Sequence, residues 1–215
     1  MKRHDVAAVV LAGGRSRRMG GNDKSRLLLG GRPMLAWVID RMRPQVGPLA
    51  VSANDDATRM LYPNLPVLDD GEFRFEGPLA GILAGMRWAG QIAPSVDWLA
   101  TAATDTPFFP PSLVRRLLGA SDQATVARLA ASQGRVHPVC GLWPLTLAPV
   151  LENWLASAGS RRVHDFVRRV PHVVVDFDEE DGRDPFFNVN TPDDAGMARL
   201  LLPETASHLV SLAPG

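Results

Sequence analysis

The hydrophobic positions change their period repeatedly along the chain, and each change marks a new element. Val6–Leu11 is an unbroken apolar run rich in β-branched residues that stops at Gly13-Gly14, which predicts a strand buried on both faces. Helical spacing follows. Met34, Leu35, Val38, Ile39 and Met42 share one face of a helix predicted over Pro33–Arg43, opened by Pro33 and stopped by Pro44. Short apolar runs at Leu49–Ala53 and Leu65–Leu68 predict two further strands. Leu79, Ile82, Leu83 and Met86 then line one face of a helix over Pro78–Ala89. Asp97–Ala103 reads as the next strand, and Pro110–Leu118 as a helix with arginines outside. Strands at Ala124–Leu129 and His137–Trp143, a helix at Leu145–Ala156, a short helix over Val163–Arg169, a strand at His172–Phe177 and a helix after Thr191 complete the series.

Alternating strands and helices with short connections predict one α/β domain built on a mostly parallel sheet, with neither repeats nor an interdomain linker. The domain is expected to span residues 1–202, with 203–215 as a loosely attached tail. In such sheets ligands bind outside the carboxyl ends of the strands. The chemistry is therefore sought in the loops after Leu11, Ala53, Leu68 and Ala103.

Composition narrows the classes. With 215 residues, 23 basic and 23 acidic side chains, the chain carries no formal net charge, which excludes a wholesale nucleic-acid surface but not a local anion site. Cys140, the single cysteine, has no disulfide partner and lies in an apolar stretch, so it reads as a buried small hydrophobe in a protein of a reducing compartment, the cytoplasm. No apolar run approaches the roughly 20 residues that cross a bilayer, and Val6–Leu11 is too short for a secretion signal. Neither nucleic acid nor membrane is an expected partner. Of the 23 basic residues 21 are arginine, and the lysines are Lys2 and Lys24.

After the first strand, Gly13 and Gly14 allow a sharp turn with bare N–H groups, and five cations with one acid crowd Arg15–Arg26. Such crowding repels itself unless an anion such as a triphosphate lies among the charges; a solvated arginine loop is the plainer alternative. The segment fits neither G-x-G-x-x-G nor G-x-x-x-x-G-K-[ST]. Lys24, a compact point charge among arginines, is a candidate for phosphate oxygens or simply a surface residue. Asp105, between Thr104 and Thr106, is placed to hold a divalent cation, or else to cap the following helix or close an Asx turn. Thr191-Pro192-Asp193-Asp194 is a helix-start signature. It leaves Asn188 and Asn190 unexplained; as alternate residues of an extended segment they project to one side, where a metal or polar ligand would suit them. Ser52, Asn54, Asp69, Asp70, Gly77 and Gly81 supply small polar groups and open backbone for a base or ribose, or else form turns.

These segments, in this order, closely resemble the molybdenum cofactor guanylyltransferases, nucleotidyltransferases of the nucleotide-sugar-pyrophosphorylase-like fold. The resemblance runs from about Val6 to Leu202 and rests on LAGGRSRRMGGNDKSRL, VSAN, VLDD, GPLAGILAGM, TAATDTPFFP, HPVCGLWP and DPFFNVNTPDD. Relatives that transfer cytidylate typically carry an AAG turn and lack the Gly-Gly-x-Asp-Lys spacing. The resemblance implies a three-layer Rossmann-like domain of the nucleotide-diphospho-sugar-transferase type. It also implies transfer of GMP from GTP to the terminal phosphate of molybdenum-bearing molybdopterin, with Mg²⁺ and release of pyrophosphate. Leu11, Ala12, Gly13 and Gly14 would line the GTP site, with Lys24 on the phosphates; beside this implied set, Arg18 is a candidate for neutralising phosphate charge during transfer. Ser52 stands where relatives usually carry Asn or Ser, with Asn54 two residues on. Asp70 would contact the nucleoside, and Asp105 would bind GTP and Mg²⁺. Asn190, with Asn188 near it, would complete the metal site or touch the pterin, and HPVCGLW and GSRRVHDF would wall the pterin side. No side-chain nucleophile is required, and the five histidines share no spacing. Molybdoenzyme maturation proteins are candidate recipients, and the chain is expected to be a monomer or weak oligomer. Alternatives are a cytidylyl or sugar-phosphate nucleotidyltransferase on the same fold, and a molybdopterin carrier without chemistry.

Overall fold

The computed structural model describes residues 5–12, 27–74, 76–93, 95–157, 159–178 and 183–202. The expected tail 203–215 lies outside them. The main sheet has seven strands: β1 (Val6–Leu11), β4 (Leu49–Ser52), β5 (Val67–Leu68), β6 (Trp98–Ala103), β7 (Ala127–Ser132), β8 (Arg135–Pro144) and β9 (His172–Asp176). Their spatial order is β5-β4-β1-β6-β8-β7-β9, and every neighbouring pair is parallel except the two that involve β8. A two-stranded ribbon, β2 (Leu28–Leu29) with β3 (Arg32–Pro33), stands apart from it. The helices are α1 (Met34–Met42), α2 (Asp56–Leu61), α3 (Pro78–Ile92), α4 (Leu113–Leu118), α5 (Ala148–Ala156), α6 (Val163–Val167) and α7 (Pro192–Leu200).

The apolar run of β1 is explained by two cores. Val6, Ala8 and Val10 pack with Leu35, Val38, Ile39 and Met42 of α1 and with Leu113, Val114 and Leu117 of α4. Ala7, Val9 and Leu11 face the opposite way, onto Leu79, Ile82, Leu83 and Met86 of α3, with α5 and α6 completing that layer. A strand covered on both sides has no solvent face on which polar residues could alternate. The three-layer expectation therefore holds. Helix α3 approaches the sheet closely: a methyl group on Gly85 would lie 2.8 Å from Val9 Cγ1 and 2.9 Å from Leu99 Cδ2. No other residue type fits there without displacement.

Three features depart from the pattern read along the chain. The short helix α2 follows Asp55, whose carboxylate accepts the Thr58 N–H at 2.8 Å as an N-cap. The ribbon β2–β3 turns through Gly30 and Gly31, at φ of 60° and 77°. The strands expected at 124–129 and 137–143 are one hairpin. Gln133 and Gly134, at φ of 49° and 72°, form its two-residue turn, so β8 returns antiparallel inside an otherwise parallel sheet. Among the described residues no helix is long and apolar enough to cross a membrane.

Candidate functional site

The carboxyl ends of β1, β4, β5 and β6 meet along one edge of the sheet, and backbone hydrogen bonds carry the order past the strands. Ala12 N donates to Ser52 O at 2.9 Å, Ala53 N to Leu68 O at 3.0 Å, and Thr104 N to Leu11 O at 3.2 Å. Leu11 and Ala12 thus sit at the centre of this edge, both buried. Gly13, Gly14, Arg18 and Lys24 follow from it in the chain but lie outside the described residues.

On one flank, Ser52, Asn54 and Asp70 form a single cluster. Ser52 Oγ donates to Asp70 Oδ1 at 3.1 Å and Asn54 Nδ2 to Asp70 Oδ2 at 2.6 Å, while Asp70 N donates to Asn54 Oδ1 at 3.2 Å. Arg74 fixes Asn54 further by donating to its carbonyl at 2.7 Å. Asp70 is only 7% exposed, and burial pushes its carboxyl above the usual range, against the opposing pull of Asn54 and Ser52. A carboxylate offers about four lone-pair directions, so these two donors leave acceptor capacity for a further group. The N-terminus of α3 abuts the same cluster. Gly77 precedes it at φ 82°, and a methyl group on Gly81 would fall 2.5 Å from Ser52 Oγ and 2.8 Å from Leu11 Cδ2.

On the other flank, a turn beyond β6 presents Asp105. Thr106 closes it, its N–H and hydroxyl donating to Ala103 O at 3.3 Å and 3.0 Å. Helix α4 starts eight residues beyond Asp105, after Ser112, so Asp105 does not cap it. The segment before α7 comes directly alongside: Val189 N donates to Asp105 O at 2.8 Å. Val189 is fully buried in a third apolar cluster with Leu29, Met34, Ala195 and Ala198. Asn188 and Asn190, alternating with it, are half-buried beside Asp105. The helix-start signature is present as a capping box: Asp194 N donates to Thr191 Oγ1 at 3.1 Å, and Asp194 Oδ2 accepts from Thr191 N at 2.8 Å. The same oxygen accepts from Asn190 N at 2.9 Å, so the cap also fixes the backbone of Asn190.

Asp105 and the asparagines offer hard oxygen donors of the type that suits Mg²⁺, which retains waters and takes phosphate oxygens rather than filling an all-protein cage. No cluster of three or more His, Cys, Asp or Glu occurs among the described residues. Cys140 lies beneath the turn, fully buried, with its sulfur 3.6 Å from Thr106 Oγ1 and its thiol pushed up to about 11 by burial. It is packing, not a nucleophile.

Among further polar groups, His137, Arg161 and Asp184 lie in segments that the resemblance points to, with no role attached to any one of them, and Ser132 lies in none of those segments. Ser132 Oγ donates to Asp184 Oδ1 at 2.6 Å and pairs with His137 Nε2 at 2.8 Å. His137 is 6% exposed, and burial holds its imidazole below the ordinary value. Arg161 forms an ion pair with Glu76 and donates to Ser157 O at 2.9 Å, which joins the GSRR segment to the entry of α3. The two-residue turn Gln133-Gly134 is the one sequence signal that would have brought Ser132 and His137 together.

A mostly parallel sheet with a buried polar cluster on one side of its central strand end and a carboxylate with amides on the other fits an α/β nucleotidyltransferase. Residues 8–173 match the family described as MobA-like NTP transferase domain. A relative from Mesorhizobium japonicum, named molybdenum cofactor guanylyltransferase, is 47% identical over 95% of this chain and 100% of its own. Among solved structures, molybdopterin-guanine dinucleotide biosynthesis protein A from Archaeoglobus fulgidus superposes with a TM-score of 0.68 at 24% identity, over 91% of this chain and 97% of its own. A Mycobacterium tuberculosis protein solved in complex with manganese gives a TM-score of 0.66 at 19% identity, over 93% and 100%. The chain belongs to the MobA-like NTP transferase family.

Proposed function

We propose that this enzyme transfers GMP from GTP to the terminal phosphate of molybdenum-bearing molybdopterin, forming the guanine dinucleotide cofactor and releasing pyrophosphate. The observation that carries the reading is the pairing of Asp105 with the 188–190 segment across from the Ser52–Asn54–Asp70 cluster. Asp70, buried and not fully supplied with donors, would accept from the base or ribose of the nucleotide, with Ser52 and Asn54 holding it in place. Leu11 and Ala12 would lie against the nucleotide, and Gly13, Gly14, Arg18 and Lys24 would meet its phosphates. Asp105, Asn190 and Asn188 would hold Mg²⁺, which when bound neutralises charge on the phosphate undergoing attack. An acceptor phosphate is already ionised at neutral pH, so the protein contributes alignment and charge compensation, with no side-chain nucleophile. The buried, inert thiol is consistent with that economy.

The test is pyrophosphate release from the purified protein with Mg²⁺ and molybdopterin, comparing GTP, CTP, ATP and UTP. Release with GTP well above the others is expected. Release with CTP instead would make it a cytidylyltransferase, and nucleotide or pterin binding without release would make it a carrier.

A further inference from the structure

The segment that carries Asn188 and Asn190 has no regular structure between residues 184 and 191, so its position depends on what grips it. At its far end the grip is Val189 N on Asp105 O and the Asp194 capping box. At its near end the grip is Asp184. One carboxylate oxygen of Asp184 accepts Phe186 N at 2.9 Å and Ser132 Oγ at 2.6 Å, and its carbonyl accepts Phe187 N at 3.1 Å.

Ser132 ends β7 and is 1% exposed. A hydroxyl has one proton, and it goes to Asp184, so toward His137 Nε2, 2.8 Å away, Ser132 acts as acceptor. His137 therefore carries its proton on Nε2. The hairpin turn at Gln133-Gly134 sets the register that makes this possible, pairing Ser132 with Arg135 and Ala130 with His137, so that Ser132 and His137 are diagonal neighbours on one face. His137 grips the segment a second time by stacking on Phe186, with ring centroids 4.8 Å apart and planes 22° apart. Phe186 in turn meets Phe177 edge-on at 5.4 Å. None of the roles proposed above for the transfer falls on Ser132, His137 or Asp184.

We propose that the His137–Ser132–Asp184 chain is a positioning device for the transfer reaction: it clamps the β7–β8 hairpin to the start of the 184–190 segment and thereby fixes Asn188 and Asn190 relative to Asp105. The inference rests on the role given above to Asn190. Ser132 and His137 lie on β7 and β8, whereas Ser52 and Asp70 lie at the far side of the sheet, beyond β6 and β1. Its loss should therefore affect turnover and metal use rather than nucleotide capture.

The experiment compares Ser132→Ala, Ser132→Thr, Asn190→Ala and the double variant Ser132→Ala/Asn190→Ala, with kcat, KM for GTP, the Mg²⁺ concentration for half-maximal rate and thermal midpoints. Ser132→Ala should lower kcat by about 10–100-fold and raise the Mg²⁺ requirement, with KM for GTP changed by less than about 3-fold. Ser132→Thr, which keeps the hydroxyl, should recover most of the rate. In the Asn190→Ala background the further loss from Ser132→Ala should shrink to less than about 3-fold. A Ser132→Ala protein with a lowered midpoint but wild-type kcat per folded molecule would make the chain a merely structural feature and overturn the proposal. So would a full, additive loss in the double variant. Wild-type kcat in Asn190→Ala would instead overturn the role of Asn190 itself, and is read independently of Ser132.

Discussion

Gly81 offers the sharpest test of how the fold shapes the side of the site proposed to take the nucleotide. In Gly81→Ala the new methyl carbon would stand 2.5 Å from Ser52 Oγ and 2.8 Å from Leu11 Cδ2, against ordinary contacts of about 3.5–4.0 Å. Ser52 Oγ is a short, buried side chain already committed to Asp70, so it cannot swing away without giving up that bond. Either α3 moves off the sheet by about 1 Å or the Ser52–Asp70 hydrogen bond breaks. Overpacking of this kind costs roughly 1–3 kcal/mol, and losing the hydrogen bond adds about 1 kcal/mol. The gain in helix propensity returns about 1 kcal/mol, leaving a net loss of about 1–3 kcal/mol. For a domain of this size that lowers the thermal midpoint by roughly 3–10 °C. Gly90, on the same helix, has nothing within 4 Å of the place a methyl group would occupy and is the matched control. Gly90→Ala should stabilise the protein by up to about 1 kcal/mol through propensity alone. Calorimetric melts of the two variants, with KM for GTP measured alongside, decide the matter: Gly81→Ala should melt lower and bind GTP more weakly. If both variants shift the midpoint upward alike, the close approach of α3 to Ser52 does not shape the site.

Asp105→Ala should lower pyrophosphate release by more than about 100-fold while the protein stays folded, as judged by its melting transition; substantial Mg²⁺-dependent turnover would remove Asp105 from the metal site. His137 has its imidazole held below its ordinary 6.5 by burial, so the unfolded chain takes up a proton more readily. Its contribution is complete above that value and is lost as pH falls toward the lower folded-state value. Urea unfolding at mildly acidic and neutral pH should therefore show wild type losing more stability than His137→Gln, and equal losses would contradict the assignment. Cys140, buried with its thiol near 11, should resist thiol reagents in the native protein and react with one equivalent after denaturation; rapid native labelling would show the turn beneath Asp105 to be open.

What is legible in the sequence follows from how local each signal is. The β1 run, the α1 and α3 stripes and the Thr191 cap depend on neighbours within a turn or a strand, and they lie where the pattern puts them, with ends shifted by a few residues. The shift at 113 has a cause: Pro110 and Pro111 suggest a helix start, but Ser112 is the residue that precedes α4. The ribbon β2–β3 is two residues long on each strand, too short for any period to show, whereas β5 falls inside the expected apolar run Leu65–Leu68, shortened to Val67–Leu68. The antiparallel return of β8 does not show in the pattern, because the apolar content of Ala127–Ser132 and Val136–Leu142 is the same whether the strands run together or opposed. Only the turn chemistry of Gln133-Gly134 distinguishes them.

The site divides the same way. Ser52, Asn54 and Asp70 stand out separately, each as a small polar group at a strand end, and the parallel pairing of β4 with β5 is what turns them into one hydrogen-bonded unit. Asp105 and Asn190 are 85 residues apart in the chain, and the backbone bond from Val189 to Asp105 that ties their segments has no sequence signature. The same reason hides His137. The five histidines share no spacing, yet His137 pairs with a serine five residues back, and that serine in turn donates to an aspartate 52 residues further on. A polar residue at a strand end marks a place where a ligand can bind. Which polar residues bind it together is decided by strand order, and strand order here turns on a two-residue loop.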